Sequence, residues 1–144
     1  MPQMKLLTAL IVILSLAGIV VSTFAFREHY NTESSPCSIN EKWDCGIVNH
    51  SQYSVVPYAK LQDVPVAAVG ILGYALLAAL AGRFPKITAL GALAGLAFAL
   101  RLSWLEWKVL GVWCIYCVSS QGIIAVIFLL ATTTAFLSMR RGAR

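Results

Sequence analysis

The stretch "LLTALIVILSLAGIVVSTFAF", residues 6–26, decides the fold because it contains no charged side chain. A helix rises about 1.5 Å per residue, so this run is long enough to cross about 30 Å of hydrocarbon. A cleaved signal peptide is the alternative, but its apolar core is only about 7–15 residues long and a small-residue cleavage site follows it. This run is longer, and residues 22–29, "STFAFREH", form a poor cleavage site. The sequence therefore predicts a retained membrane helix.

The composition of the whole chain also indicates a membrane protein. Its 144 residues are 59% hydrophobic and 12% charged, with a mean hydropathy of +0.78, whereas a soluble domain is about 45–50% apolar and about 25% charged. This length predicts a single domain, residues 1–144. The net charge of +5 could indicate a nucleic-acid partner. However, six of the basic residues flank apolar runs, as is typical of membrane helices, so we expect contact with membrane lipid and no binding of nucleic acid.

Four apolar runs predict four membrane-spanning helices, at about residues 6–26, 64–82, 87–108 and 112–138. The third run passes Arg101, whose side chain we expect to reach the membrane surface because aromatic and charged residues follow it at 104–108. The predicted fold is an all-α integral membrane four-helix bundle. An extracytoplasmic loop, residues 27–63, caps it between helices 1 and 2.

The distribution of charge predicts the orientation of these helices. Four spans place both termini on one side, together with the short turn at 83–86. These segments hold six of the eleven Lys and Arg residues and no acid, whereas the 27–63 loop and the 101–113 turn carry all six acids. The positive-inside rule therefore places both termini in the cytoplasm and the long loop outside.

All four cysteines fall on this predicted outer side, where disulfides can form. Cys37 and Cys45 lie in the loop, and Cys114 and Cys117 lie at the outer end of the fourth span. Cys114 and Cys117 are one helical turn apart, so they share one face of the helix. A helix N-terminus also favours thiolates.

Three interpretations of these cysteines remain open. The first is a pair of structural disulfides that hold the outer loop. The second is a metal site, but C-x7-C is a poor zinc-binding spacing and neither histidine has ligand spacing, so we expect no metal. The third is a redox relay, in which a mobile loop pair exchanges electrons with a pair at the membrane edge. A relay would explain the place of Cys114 and Cys117, because a lipid-soluble quinone meets thiols where the bilayer meets water.

An ordered set of motifs carries a family resemblance. The loop holds C-x7-C and continues as "CGIVNHSQY", residues 45–53, with valine, serine and an aromatic residue at three, six and eight positions after the cysteine. Next comes "DVPVAAVGILGY", residues 63–74, and finally the CxxC that opens the fourth helix. Over most of its length the chain resembles the vitamin K epoxide reductase family, specifically its bacterial disulfide-forming members.

This resemblance implies a mechanism and a location. A reduced thioredoxin-like or DsbA-like partner attacks the Cys37–Cys45 disulfide at Cys37, and the freed Cys45 attacks Cys114. Cys117 then reduces a quinone, ubiquinone or menaquinone, and the Cys114–Cys117 disulfide forms again. The chain ends at "RRGAR" without a fused thioredoxin-like domain, so the expected partner is a separate protein. The implied location is the bacterial inner membrane, with the cysteines on the periplasmic or extracellular side.

The resemblance also suggests four quinone contacts, Ser51, Val66, Gly70 and Gln121. Vertebrate members have asparagine in place of Val66 and tyrosine in place of Gln121. These departures make vitamin K epoxide a less suitable substrate than a simple quinone, although a vitamin K epoxide or quinone reductase proper stays an alternative. Ser51 could instead cap a local turn.

The alternative from another functional class is a non-enzymatic membrane subunit whose disulfides are structural. His29 and His50 carry no motif, and we expect both to be solvated surface residues.

Overall fold

The computed structural model describes residues 2–33, 36–56 and 64–144. Within these ranges the chain forms helices and turns and no β-strand. The helices are α1 (Pro2–Tyr30), α2 (Cys45–Asn49), α3 (Val66–Leu80), α4 (Pro85–Leu105) and α5 (Ile115–Gly142). A 3-10 turn follows α2 at Gln52–Ser54, and α4 continues as a π-helical turn at Glu106–Leu110.

Three helical segments are long and apolar enough to cross a membrane: α1, α5 and the continuous segment Pro85–Leu110. The helix α3 is apolar but has only 15 residues, which at about 1.5 Å per residue gives a length of about 22 Å. The prediction of an all-α membrane protein is confirmed. The crossing of the membrane by four helices stays a prediction.

The first helix is longer than its apolar run. It extends beyond the predicted span 6–26 at both ends and reaches Tyr30, so the loop predicted at 27–63 begins about one turn later. Parts of that predicted loop, residues 34–35 and 57–63, lie outside the described residues.

The last helix begins later than the predicted residue 112, because the chain bends just before it. Gly111 has a φ of 69°, a left-handed conformation that glycine adopts without steric cost. It ends the π-helical turn and lets the chain enter α5 at Ile115. This bend places Cys114 at the cap of α5.

The long helices pack around α1 and α5. α1 contacts both α3 and α5, α5 also contacts α4, and the contact between α3 and α4 is smaller. A Cβ at Gly18 would lie 2.5 Å from the ring of Tyr74, and a Cβ at Gly70 would lie 2.9 Å from Ser22 Oγ. Small residues thus allow α1 and α3 to approach closely, as is common between membrane helices.

The outer loop is fastened to the segment that precedes α5. The backbone N–H of Asp44 donates to the carbonyl of Trp113 at 3.0 Å, and the N–H of Trp113 donates to the carbonyl of Lys42 at 2.7 Å. The rings of Trp43 and Trp113 lie 6.4 Å apart. These contacts hold the residues before Cys45 beside the residues before Cys114.

Candidate functional site

The loop cysteines form a disulfide. Cys37 and Cys45 are bonded, with their Cα atoms 5.7 Å apart, and both are buried. Cys45 is the first residue of α2, and Asp44 caps that helix by accepting a hydrogen bond from the N–H of Ile47 at 3.2 Å. The Asp44 carboxylate also accepts a hydrogen bond from Ser38 Oγ at 2.9 Å. The sequence next to Cys45 therefore fixes its backbone.

The second pair is reduced and lies at the start of α5. Cys114 is the N-cap residue and Cys117 is in the first turn, and both are free thiols. A hydrogen bond from Cys117 lowers the pKa of the Cys114 thiol, against the opposing effects of burial and of the Glu106 charge. Cys114 is therefore the better thiolate for exchange.

The two pairs meet in one buried cluster. It contains Cys37, Cys45, Val48, Val112 and Cys114, with Cys117 packed against it. Cys45 and Cys114 are both 0% exposed. All four cysteines that the sequence singled out are thus brought together, although the two pairs are far apart in the chain.

A cavity of about 700 Å³ lies beside Cys117. It is bounded by α1, α3, α4, α5 and the loop, and aliphatic side chains and glycines form most of its wall. Cys117 and Glu106 are part of this wall, whereas Cys114 is not. The reduced pair therefore faces two ways: Cys114 toward the loop disulfide, and Cys117 toward the cavity.

The comparison with protein families agrees with this arrangement. A family model described as the vitamin K epoxide reductase family matches residues 9–132, a range that includes all four cysteines. The chain belongs to the vitamin K epoxide reductase family. Membership in this family indicates a membrane oxidoreductase that acts on thiols. No curated protein matches the chain.

The residues predicted from the family resemblance to contact a quinone divide into two groups. Ser51, Val66 and Gly70 line the cavity, whereas Gln121 does not. The amide oxygen of Gln121 instead accepts a hydrogen bond from Ser103 Oγ. Ser51 also caps a local turn, because its hydroxyl donates to the carbonyl of Val48 at 2.8 Å. Their roles in binding stay predictions.

Glu106 is a site residue that the sequence analysis assigned to the membrane interface. Its neighbours Trp107 and Lys108 are indeed exposed, but Glu106 itself is 2% exposed. Its Oε2 accepts a hydrogen bond from the backbone N–H of Cys114 at 3.2 Å. One signal was available: Glu106 is the only acid in the 64–144 part of this family member, and it precedes the CxxC by two helical turns.

Asn49 is a further site residue that the sequence analysis did not single out. Its side-chain amide donates to the carbonyl of Cys45 at 2.8 Å and to the sulfur of Cys114 at 3.5 Å. It is buried between the two pairs. No local pattern could have shown this contact, since Asn49 and Cys114 are 65 residues apart.

The expectation that His29 is a solvated surface residue was wrong. Because α1 continues to Tyr30, His29 faces the loop, and its Nδ1 donates to the carbonyl oxygen of Asn49 at 2.7 Å. The predicted surface position of His50 is correct, since this residue is exposed.

Tyr74 adds a polar group to the cavity wall of this family member. Its hydroxyl donates to the carbonyl of Ser120 at 2.8 Å.

No group of three or more His, Cys, Asp or Glu residues within the described ranges could hold a metal ion.

Proposed function

We propose that this protein oxidises the thiols of a thioredoxin-like partner outside the cytoplasm and passes the electrons to a membrane quinone. The observation that carries the proposal is the two-sided placement of the reduced pair. Cys114 lies in the same buried cluster as the loop disulfide, and Cys117 lies in the wall of an apolar cavity. A disulfide with a purely structural role would not require a cavity beside one of its sulfur atoms.

Electrons pass by thiol–disulfide exchange in the proposed scheme. A partner thiolate attacks Cys37, and Cys45 leaves and attacks the oxidised Cys114–Cys117 pair at Cys114. The second partner thiol then releases the partner as a disulfide, and Cys37 displaces Cys114 to restore the loop disulfide. In this scheme, the state with an oxidised loop pair and a reduced Cys114–Cys117 pair is the one that precedes reduction of the quinone.

The cavity suits a quinone as the electron acceptor. Its volume of about 700 Å³ is within the range of about 300–1,000 Å³ that is usual for small-molecule sites. Its wall is mostly aliphatic and includes a few polar groups, among them Tyr74 and Ser51. At the cavity wall, Val66 supplies no hydrogen-bond donor from its side chain, which favours a simple quinone over the epoxide.

The proposed arrangement in the membrane has four spans, with both termini in the cytoplasm of a bacterial cell. The basic residues at 83, 86, 140, 141 and 144 lie at or beyond the ends of α3, α4 and α5, and all are on the side predicted to be cytoplasmic. The two cysteine pairs lie at the opposite ends of the helices.

The proposal is tested with purified protein, a reduced thioredoxin-like partner and short-chain ubiquinone or menaquinone analogues. We expect loss of partner thiols with an equal gain of hydroquinone. In the Cys117→Ser variant, we expect hydroquinone formation to stop and a Cys45–Cys114 mixed disulfide to accumulate, detected by mass spectrometry of linked peptides. The matched control is Ser119→Ala, an exposed position two residues away, which should behave like the parent protein.

Two results would contradict the proposal. The first is partner oxidation that continues at the normal rate in Cys117→Ser without any disulfide between the two pairs. The second is the absence of quinone reduction by the unmodified protein, with both pairs stably oxidised, which would indicate a structural role.

A further inference from the structure

The carboxyl group of Glu106 is buried beside the cysteines and has no role in the proposed exchange scheme. It lies in the π-helical turn that ends α4, and such turns occur often at functional sites. One oxygen, Oε2, accepts the N–H of Cys114. The other, Oε1, is buried and has no hydrogen-bond partner within the described residues.

Among the described residues, the cavity wall around Glu106 contains no cation that would compensate its charge. None of the described residues in the cavity wall is Lys or Arg, and Glu106 is the only carboxylic acid among them. The other titratable side chains of the wall are His29 from α1, Tyr53 from the 3-10 turn, Tyr74 from α3, and Tyr116 and Cys117 from α5. Desolvation disfavours a buried carboxylate that has no cation beside it, so Glu106 is suited to accept a proton from a neighbour.

Cys117 is the neighbour that has a proton to give. Glu106 and Cys117 both line the cavity, and Glu106 accepts the backbone N–H of Cys114, the other member of the pair. Because the side-chain amide of Asn49 donates a hydrogen bond to the sulfur of Cys114, Cys114 is the favoured thiolate and Cys117 holds the proton of the reduced pair. This proton must leave before the two sulfurs can join.

We propose that Glu106 accepts the thiol proton of Cys117 and delivers it to an oxygen of the quinone in the cavity. This inference rests on the proposed function. The reduced pair enters the step as the Cys114 thiolate and the Cys117 thiol. The sulfur–sulfur bond forms as two electrons pass to the quinone.

The protons and electrons of this step balance. One quinone oxygen receives the Cys117 proton from Glu106, and the other receives a proton from water. This proton from water replaces the one that the partner thiols released to water during thiol–disulfide exchange. The products are the Cys114–Cys117 disulfide and a hydroquinone, and Glu106 returns to its carboxylate form.

The test is the reduction of a short-chain quinone by the pre-reduced, full-length Glu106→Gln variant, followed by quinone absorbance as a function of pH. Glutamine has nearly the same shape and can still accept the N–H of Cys114. We expect a rate about 100-fold lower at neutral pH, which is within the usual contribution of a general base, and an unchanged KM for the quinone. The deficit should shrink at alkaline pH, because hydroxide then removes the proton directly.

Two further variants sharpen the test. Glu106→Asp keeps an acid and should lose less rate without recovery at high pH, and it decides the matter if the glutamine variant does not fold. Glu28→Gln is the matched control: Glu28 is also buried with one unpartnered oxygen, but it is not part of the cavity wall. Its pH profile should equal that of the parent protein.

The outcomes separate this inference from the function on which it rests. If the parent protein reduces no quinone, the proposed function fails. If the parent is active and Glu106→Gln keeps its rate, or loses rate equally at every pH, the role of Glu106 in proton transfer is wrong while the function stands. Recovery of the quinone-reduction rate at high pH in Glu28→Gln or in Glu106→Asp would also contradict the role of Glu106 in proton transfer.

Discussion

At the scale of single residues, Asn49 connects the two cysteine pairs. Its amide N–H₂ group reaches the carbonyl of Cys45 and the sulfur of Cys114 from the last turn of α2. The hydrogen bond from Cys117 lowers the pKa of Cys114, and the Asn49 donor acts in the same direction because a donor next to sulfur stabilises the thiolate over the thiol. A lowered pKa means that the thiolate persists as the pH falls, so loss of a donor moves protonation to higher pH.

We therefore predict that Asn49→Leu raises the pKa of Cys114 and lowers its thiolate fraction at neutral pH. A hydrogen bond to a charged group is worth about 1.5–3 kcal/mol, which corresponds to a change of about tenfold or more. The measurement is a titration of thiolate ultraviolet absorbance in the protein with the loop disulfide intact. Asn49→Asp removes the same donor and adds a negative charge, so its effect should be larger in the same direction. An unchanged titration in both variants would show that this contact does not act on Cys114.

The sequence predicted some residues of the candidate site and missed others. The cysteines were found because their type and order carry the chemistry. Glu106 and Asn49 were missed because their importance comes from burial against Cys114, which the local sequence does not show; for Glu106 the one signal was its isolation as the only acid in residues 64–144. Gln121 was chosen by its position relative to the CxxC, but its side chain is engaged with Ser103.

At the scale of helices, the crossing of α1 and α3 depends on Gly18. The ring of Tyr74 occupies the space where a Cβ would be, and the same tyrosine holds α5 through its hydrogen bond to Ser120. One small residue thus permits a contact that links three helices.

We predict that Gly18→Val displaces the Tyr74 ring and destabilises the protein by about 1–3 kcal/mol, the usual cost of overpacking. The measurement is unfolding by heat or by denaturing detergent, compared with the parent protein. The control is Gly122→Ala, because a Cβ at Gly122 meets no atom within 4 Å. Equal stability of Gly18→Val and the parent would mean that α1 and α3 can separate without loss.

The helices themselves were predictable because a membrane demands long uncharged runs, and such runs are visible without any tertiary information. Their ends were less predictable. α1 continues through Arg27 and Glu28 to Tyr30, since polar side chains do not stop a helix whose far end packs under a loop. The bend at Gly111 arises from its positive φ. A glycine in the sequence permits such a conformation but does not predict it, because glycine also occurs within helices.

At the scale of the whole molecule, the contact between the loop and the bundle brings the two cysteine pairs together. Backbone pairing of residues 42–44 with Trp113 holds the loop disulfide over the start of α5. The cavity lies on the other side of Cys117. Disulfide, CxxC pair and cavity thus lie in the order that the proposed relay requires, although the groups are distant in the chain.

The arrangement in the membrane gives the last prediction, in which α3 crosses despite its 15 residues. We expect a cysteine introduced at exposed Ile39 to react with an impermeant thiol reagent in intact cells, and one at exposed Phe84 to react only after lysis. The native cysteines are replaced by serine for this measurement.

The expected result at Phe84 follows from charge, because Arg83 and Lys86 flank this turn and favour the cytoplasmic side. Apolar Pro65 and Val64 can extend the α3 span. Reaction of both positions in intact cells would show that α3 does not cross the membrane, and the four-span arrangement would then be wrong.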